Sequence, residues 1–170
     1  MRQIIWTVGI CILILTSCKW QSKQPNSRID KATIARDTSS ALISDTIETR
    51  FIADNKPLWT PTKAQFDQID SILIKAIKDT LVITNNDFEI KNINQFYRQY
   101  VCYLDNNGDL IVFINAFCRL LSSPVDSGNK VIWKKYDWKN KLLHVNDGGA
   151  CFWSININLT RKKYFYFSVN

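Results

Sequence analysis

The only histidine of the chain lies shortly before a cysteine, and such a pair can supply a nucleophile and its general base. His144 and Cys151 flank the turn sequence Asp147-Gly148-Gly149. A two-residue loop would place the two side chains together, whereas a three-residue loop turns His144 outward and aligns the apolar Leu143 and Val145 with the next strand. The apolar pattern favours the second register. We therefore expect an exposed histidine, and a Cys–His hydrolase or transferase is kept only as an alternative function.

A different chemistry is indicated at Cys18, which follows an apolar N-terminal run. Arg2 gives a positive start, and residues 4–15 are nearly all apolar but too few to span a bilayer as a helix. Leu15-Thr16-Ser17-Cys18 resembles the bacterial lipobox, which implies cleavage before the cysteine, a diacylglyceryl group on its thiol and an acyl chain such as palmitate on its amino group. We predict a signal peptide over 1–17 and membrane anchoring through Cys18. An ordinary secretory signal or an uncleaved anchor is the alternative.

The residues after the cysteine bear on location. Lys19 stands where some bacteria place the Asp linked with inner-membrane retention, which favours the outer membrane. No acidic residue precedes Asp30, so the early acidic run that resembles surface-export signals is missing, and the periplasmic leaflet is favoured over the cell surface. The export signal excludes nucleic acid as a partner.

Three cysteines remain for a disulfide: Cys102, Cys118 and Cys151. Export favours oxidation. If Asn107-Gly108 is a two-residue hairpin turn, Cys102 and Cys118 stand on opposite faces and too far apart for a bridge. Cys118 and Cys151 both fall on apolar strand faces, so we predict that these two are bonded and that Cys102 is free and buried. Three separate buried thiols are the alternative that the sequence leaves open.

Metal and cofactor chemistry finds little support in the sequence. Asp105, Asn107 and Asp109 alternate like the start of a calcium loop, but Ala116 occupies the position of the closing glutamate. A polar hairpin turn explains the stretch. The chain contains no glycine-rich phosphate loop and no Gly-x-Ser-x-Gly nucleophile elbow. We predict no metal site, no cofactor and no catalytic residue.

The elements that must position these residues begin after a polar segment. Residues 18–58 are predicted to be the lipidated cysteine and a flexible tether. Within this segment Asp45-Thr46-Ile47 resembles the short O-glycosylation motif of Bacteroidetes envelope proteins, with Thr46 as the acceptor. The net charge of +7 includes many late lysines, which could form a basic face for anionic lipid headgroups or an acidic partner, or an ordinary solvated surface.

The folded domain is predicted over 59–170. Thr60 and Pro61 have the types of an N-cap and a first helical residue, and apolar residues then recur at helical spacing, which predicts a helix over about 61–79. Two-residue periodicity follows and predicts strands at 95–104, 110–119, 130–136, 141–146, 150–159 and 163–169. This order predicts an α+β fold in which one long helix packs on an antiparallel meander sheet, cystatin-like in outline.

The strands carry more aromatic residues than one small core needs. Either a second layer covers the outer face of the sheet, or that face binds a protein or a glycan partner.

Several stretches of the domain together carry a family resemblance: Trp59-Thr60-Pro61-Thr62, residues 113–118, Asp147-Gly148-Gly149 with Cys151-Phe152, and residues 167–170. In these motifs the chain resembles a family of small uncharacterised lipoproteins that is common in Bacteroidetes. The resemblance implies a cell-envelope address and carries over no catalytic residue. We therefore predict a membrane-anchored lipoprotein with a non-enzymatic binding domain. An inhibitor or immunity-type protein of the periplasm is the alternative within the binding class.

Overall fold

The computed structural model describes residues 38–83, 90, 93–128 and 130–169. The predicted signal peptide, Cys18 and the first half of the predicted tether lie outside the described residues. In chain order the elements are β1 (Ser40–Leu42), α1 (Thr46–Ala53), α2 (Lys63–Ile83), β2 (Tyr97–Leu104), β3 (Leu110–Phe117), β4 (Ser122–Asp126), β5 (Val131–Lys135), β6 (Phe152–Asn158) and β7 (Lys163–Val169).

The main sheet has five strands in the order β1-β2-β3-β6-β7. Strand β1 runs parallel to β2, and the other neighbours are antiparallel. The α+β class with an antiparallel-rich sheet is therefore confirmed. The continuous meander is wrong, because the chain leaves the sheet after β3, forms the separate β4–β5 hairpin, and returns beside β3 as β6. The strand predicted at 141–146 is also wrong, since that segment forms no ladder.

The predicted boundary at residue 59 is wrong as well, because β1 and α1 lie inside the segment assigned to the tether. The side chains of Ala41 and Ile43 are buried in the domain. Helix α1 starts at an N-cap, where the Asp45 carboxylate accepts hydrogen bonds from the backbone N–H groups of Ile47 at 2.7 Å and Glu48 at 3.2 Å. Two short elements leave no long period in the sequence, so composition alone suggested a tether.

The prediction of one long helix is wrong in number, because the described part of the domain has two helices, α1 and α2. Helix α2 corresponds to the helix expected over about 61–79, but it spans Lys63–Ile83. Its first turn is closed by Thr62, whose hydroxyl accepts from the backbone N–H of Gln65 at 3.3 Å, while the Gln65 side chain accepts from the N–H of Thr62 at 2.7 Å. This reciprocal capping box replaces the cap predicted at Thr60. In the described ranges no helix has the length and apolar character to cross a bilayer.

The sheet is covered on both faces. On the inner face, α2 packs its apolar side chains against alternate residues of β2, β3 and β6, and the buried set includes Ile69, Leu73, Tyr100, Ile114, Trp153 and Ile155. On the outer face, α1 and residues 136–145 cover the other side of the same strands, and the buried set includes Ala53, Val101, Phe117, Trp138, Leu142 and Phe152. The sheet is thus the middle of three layers.

Candidate functional site

The chain between β3 and β6 is closed at its base by a disulfide. Phe117 and Phe152 form the last pair of the β3–β6 ladder. The next two residues are Cys118 and Cys151, whose sulfur atoms lie at bonding distance with Cα atoms 5.0 Å apart. The backbone N–H of Cys118 also donates to the carbonyl of Cys151 at 3.0 Å. The bridge therefore fixes the two ends of one excursion, residues 119–150.

The structure agrees with the predicted pair but not with the reason given for it. Cys118 is exposed and Cys151 lies in a 3₁₀ turn, so neither occupies an apolar strand face. The two-residue turn predicted at Asn107-Gly108 would pair Cys102 with Phe113. The structure instead pairs Cys102 with Val112 and Tyr97 with Phe117, so the predicted register is wrong by one residue. The two cysteines meet because they continue the ladder one step beyond the strand ends.

The Cys–His pair is not assembled as a dyad. Cys151 is engaged with Cys118, and a sulfur in a disulfide has no thiolate with which to attack. His144 is exposed, as expected, but it lies in a segment without strand pairing rather than in a hairpin with β6. While the Cys118–Cys151 disulfide is intact, a dyad of Cys151 and His144 has no nucleophile.

The remaining described cysteine is sequestered. Cys102 is free and buried, which agrees with the expectation for this residue. Burial raises the pKa of its thiol far above the ordinary value. Because the thiolate is the reactive form, Cys102 behaves as a small apolar core residue of the inner face.

Two amide side chains on the outer face hold the covering segment, which we call the strap (residues 137–145). Gln99 is fully buried. Its side-chain NH₂ donates to the carbonyls of Trp138 and Lys141, and its side-chain oxygen accepts from the N–H of Leu143 at 2.9 Å. Asn115 donates to the Gln99 oxygen at 3.0 Å and to the carbonyl of Leu143 at 2.8 Å. These bonds satisfy strap backbone groups that would otherwise be buried without partners.

The strap covers aromatic side chains on the outer face of the sheet. Trp138 is buried against Phe117, with ring centroids 5.8 Å apart, and against Tyr97 at 5.2 Å. The outer face is therefore covered by this chain itself, which is the second layer that the sequence left open as one of two alternatives.

The Asp105–Asp109 turn is built from internal hydrogen bonds. The Asp105 carboxylate accepts from the backbone N–H groups of Asn107 at 2.8 Å and Asp109 at 2.9 Å. The bond from Asp109 is the largest cause of a lowered pKa at Asp105. Asp109 is held by Arg161 at 2.5 Å and by Asn158 at 2.8 Å. Within the described ranges no three acidic, histidine or cysteine side chains cluster as a metal site would need.

The predicted glycosylation site lies on α1. Thr46 is exposed and follows the N-cap Asp45, so capping accounts for the Asp-Thr-apolar triplet and leaves the hydroxyl at the surface. Thr46 also borders a shallow pocket of about 190 Å³ next to Arg50 and Lys56. Modification at Thr46 stays a prediction.

The β4–β5 hairpin is the most exposed part of the excursion. Every residue of β5 is exposed, so neither face of that strand packs against the domain core. Trp133 is 70% exposed and Val131 is 66% exposed, which is unusual for such large apolar side chains. The sequence VIWKK also carries Lys134 and Lys135, and Lys130 precedes it. The hairpin thus combines apolar and cationic groups on one protruding element.

The late basic residues do not form one face. Lys130, Lys134 and Lys135 belong to the hairpin, which leaves the sheet at the Phe117–Phe152 end. Arg161, Lys162 and Lys163 lie at the β6–β7 turn, next to the Asp109 end of the sheet. Lys139 and Lys141 are exposed on the strap. The late basic residues therefore do not form the single face considered from the sequence.

Sequence reasoning missed Gln99, Asn115 and strand β4. A signal for the amides was present, since each interrupts an apolar strand at a position that points to the outer face. A signal for β4 was also present, because Val125 and Val131 flank the turn-forming letters Ser127 and Gly128.

Comparisons of the chain with protein-family models, with curated proteins and with solved structures found no match. The family resemblance therefore stays a prediction from motifs, and the functional conclusion has to be built from the residues themselves.

Proposed function

We propose that this chain is a membrane-anchored lipoprotein of the cell envelope whose α+β domain binds a partner without catalysing a reaction. The observation that carries the proposal is the sequence Leu15-Thr16-Ser17-Cys18 at the end of an apolar N-terminal run. The motif resemblance to Bacteroidetes lipoproteins supports the same address. The outer membrane, with the periplasmic leaflet favoured, is the proposed location.

The cysteine chemistry of the domain supports an oxidising compartment. Cys118 and Cys151 form a bonded pair, and disulfides persist in exported proteins and are rare in the reducing cytosol. The only other described cysteine is buried. This distribution suits a domain that works outside the cytoplasm.

A binding role is supported by what the domain leaves exposed. The outer face of the sheet is closed, whereas apolar side chains remain at the surface on α1 and on the β4–β5 hairpin. Exposed apolar patches mark protein or membrane interaction sites and ligand-binding grooves. The cystatin-like outline of a helix across a sheet belongs to this proposal as a description of shape, and it assigns no inhibitory activity.

The anchor is tested by metabolic labelling with a fatty acid. The wild type is expected to incorporate the label, and the Cys18→Ser variant is expected to incorporate none, because the thiol is the acyl acceptor. Cys102→Ala is the matched control, since it removes a buried cysteine and keeps Cys18. Equal labelling of wild type and Cys18→Ser would contradict the anchor.

The partner is sought by pull-down from an envelope lysate with the mature chain. A glycan, a porin or another lipoprotein as prey would support the binding domain. A single stoichiometric enzyme as prey would instead favour the inhibitor or immunity-type alternative.

A further inference from the structure

We propose that the β4–β5 hairpin is a membrane-docking surface that binds anionic phospholipid headgroups. The inference rests on the proposed function in one respect, because it takes the lipid anchor as the reason why a membrane lies within reach. It adds a second contact with the bilayer, made by the folded domain itself.

The first argument is the composition of the exposed face. In the β4–β5 ladder Pro124 lies opposite Trp133 and Asp126 opposite Val131. Trp133 and Val131 therefore share one face of the ribbon with Pro124, and Asp126 also belongs to this face. Trp is enriched at membrane–water interfaces because its ring is apolar and its N–H remains hydrogen-bonded in the headgroup region. An exposed Trp beside an exposed Val gives the hairpin an apolar face of the type that enters this region.

The second argument is charge. Lys135 belongs to the same face as Trp133, Lys134 belongs to the other face, and Lys130 directly precedes β5. Asp126 is the single acidic residue of the hairpin, so the lysines leave a cationic excess. Each lysine close to an anionic bilayer contributes about 1 kcal/mol of attraction. Long lysine stems also lie along apolar surface while their ammonium groups stay in water. The hairpin therefore has the charge that complements an anionic headgroup layer.

The third argument is the direction from which the chain arrives. The carbonyl of Ser39 accepts from the N–H of Arg98 at 2.8 Å, and Ser40 pairs with Arg98 at the start of β2. That end of β2 is also the Phe117 end of β3 and the Phe152 end of β6. The chain thus enters the sheet at the same end from which the hairpin leaves it.

This shared end places the hairpin toward the anchor. A chain segment of the length of residues 19–37 spans at most about 65 Å when fully extended. The membrane that holds Cys18 is therefore within reach of the sheet end that bears the hairpin. Arg161, Lys162 and Lys163 belong to the opposite end, so their charge does not serve the same contact.

A rival apolar surface exists on α1, where Ile47 is 71% exposed and Phe51 is 74% exposed. Helix α1 carries Glu48 and Arg50, so its charges oppose one another. On β7, Tyr166 is 79% exposed close in sequence to Lys162 and Lys163, but that basic group lies at the opposite end of the sheet. The hairpin combines large exposed apolar side chains with a cationic excess at the end where the chain enters, which favours it as the membrane contact. An acidic protein would match the charge, but it would give no reason for the hairpin to lie at the end of the sheet that faces the tether.

The experiment measures vesicle binding of the full mature chain, residues 18–170, with Cys18→Ser so that no acyl chain contributes. Vesicles of phosphatidylethanolamine and phosphatidylglycerol are compared with vesicles of phosphatidylcholine alone by co-sedimentation. We expect binding to the anionic vesicles that weakens as salt is added. Lys134→Gln with Lys135→Gln should weaken binding about 25-fold, and Trp133→Ser about tenfold.

The controls remove the same groups elsewhere. Lys162→Gln with Lys163→Gln removes two lysines at the other end of the sheet, and Phe51→Ser removes an exposed aromatic ring from α1; each should change binding less than twofold. Losses in these controls as large as those in the hairpin variants would overturn the proposal. So would a wild-type chain that fails to bind anionic vesicles, in which case an acidic protein becomes the occupant to test. A failed anchor would be seen separately, in the fatty-acid labelling.

Discussion

The two faces of the central sheet are covered in different ways. On the inner face a regular helix, α2, buries apolar side chains such as Ile69 and Leu73 against the strands. On the outer face an irregular strap is held by the buried amides of Gln99 and Asn115 as well as by Trp138 and Leu142. The inner layer depends mainly on apolar packing, to which the Arg98–Asp70 ion pair at 3.8 Å and the Tyr164 hydroxyl donating to Asp79 at 3.0 Å add polar contacts with α2. The outer layer depends in addition on a buried polar network that must stay complete.

The strongest test of the difference between the two faces truncates one buried leucine on each of them. Leu73 and Leu142 are both buried. Leu73→Ala should lower the free energy of unfolding by about 4 kcal/mol, because the surrounding sheet and helix cannot close the cavity. Leu142→Ala should cost about 2 kcal/mol, because an irregular strap relaxes more readily into the space. Urea titration of the two variants measures both values, and a larger loss for Leu142→Ala would invert the comparison.

The polar network is broken by Gln99→Met, which keeps most of the side-chain volume and removes every hydrogen bond. The carbonyls of Trp138 and Lys141 and the N–H of Leu143 then lose their partner. We expect a loss of about 3 kcal/mol and faster proteolysis within residues 137–145. Gln95→Met is the matched control, since Gln95 is exposed and should change stability little. Unchanged protease resistance of the strap in Gln99→Met would show that packing alone holds it.

The third prediction concerns the disulfide that closes the excursion between β3 and β6. Cys118→Ser with Cys151→Ser opens a loop with a sequence separation of 33 residues, and we expect a loss of about 2–4 kcal/mol. Hydrogen exchange should rise in residues 119–150 more than in β2 and β3. Non-reducing peptide mapping of the exported wild type should give a linked pair containing both cysteines. A free and rapidly alkylated Cys151 would refute the bridge and make the His144 dyad worth assaying.

The inner layer was readable in the sequence because its signals are periodic. Ile69, Leu73, Ala76 and Ile77 recur at helical spacing, and the four of them are buried as that spacing predicts. Alternation in the later strands likewise located β2, β3, β5, β6 and β7 within a few residues. The cysteine pairing was obtained from strand faces that neither residue occupies, so agreement on the pair does not validate that argument.

The elements of the outer layer could not be predicted from the sequence, and the reasons are physical. β1 pairs through backbone groups, which leave little trace in side-chain pattern, and α1 is too short to show a period. The strap satisfies backbone groups through the side chains of Gln99 and Asn115 rather than through a strand ladder. Its buried residues, such as Leu142 and Leu143, therefore follow no strand periodicity. The apolar letters at 141–146 therefore suggested a strand that the structure does not contain.

The hairpin shows the same limit from the functional side. The residue pattern at Val131, Trp133 and Lys134 is equally compatible with a core strand and with an exposed strand. Only the pairing of β5 with β4 alone, away from the main sheet, leaves these side chains at the surface. An exposed surface of this kind depends on which strands pair, and the local sequence pattern does not determine that pairing.

The most direct measurement for the account is the mass of the N-terminal peptide of the protein recovered from the membrane fraction. The account predicts that the mature chain begins at Cys18 and that this peptide carries a diacylglyceryl group on the thiol and an acyl chain on the amino group. A peptide in which an unmodified Cys18 is still joined to Ser17, or a mature chain that begins beyond Cys18, would contradict the account.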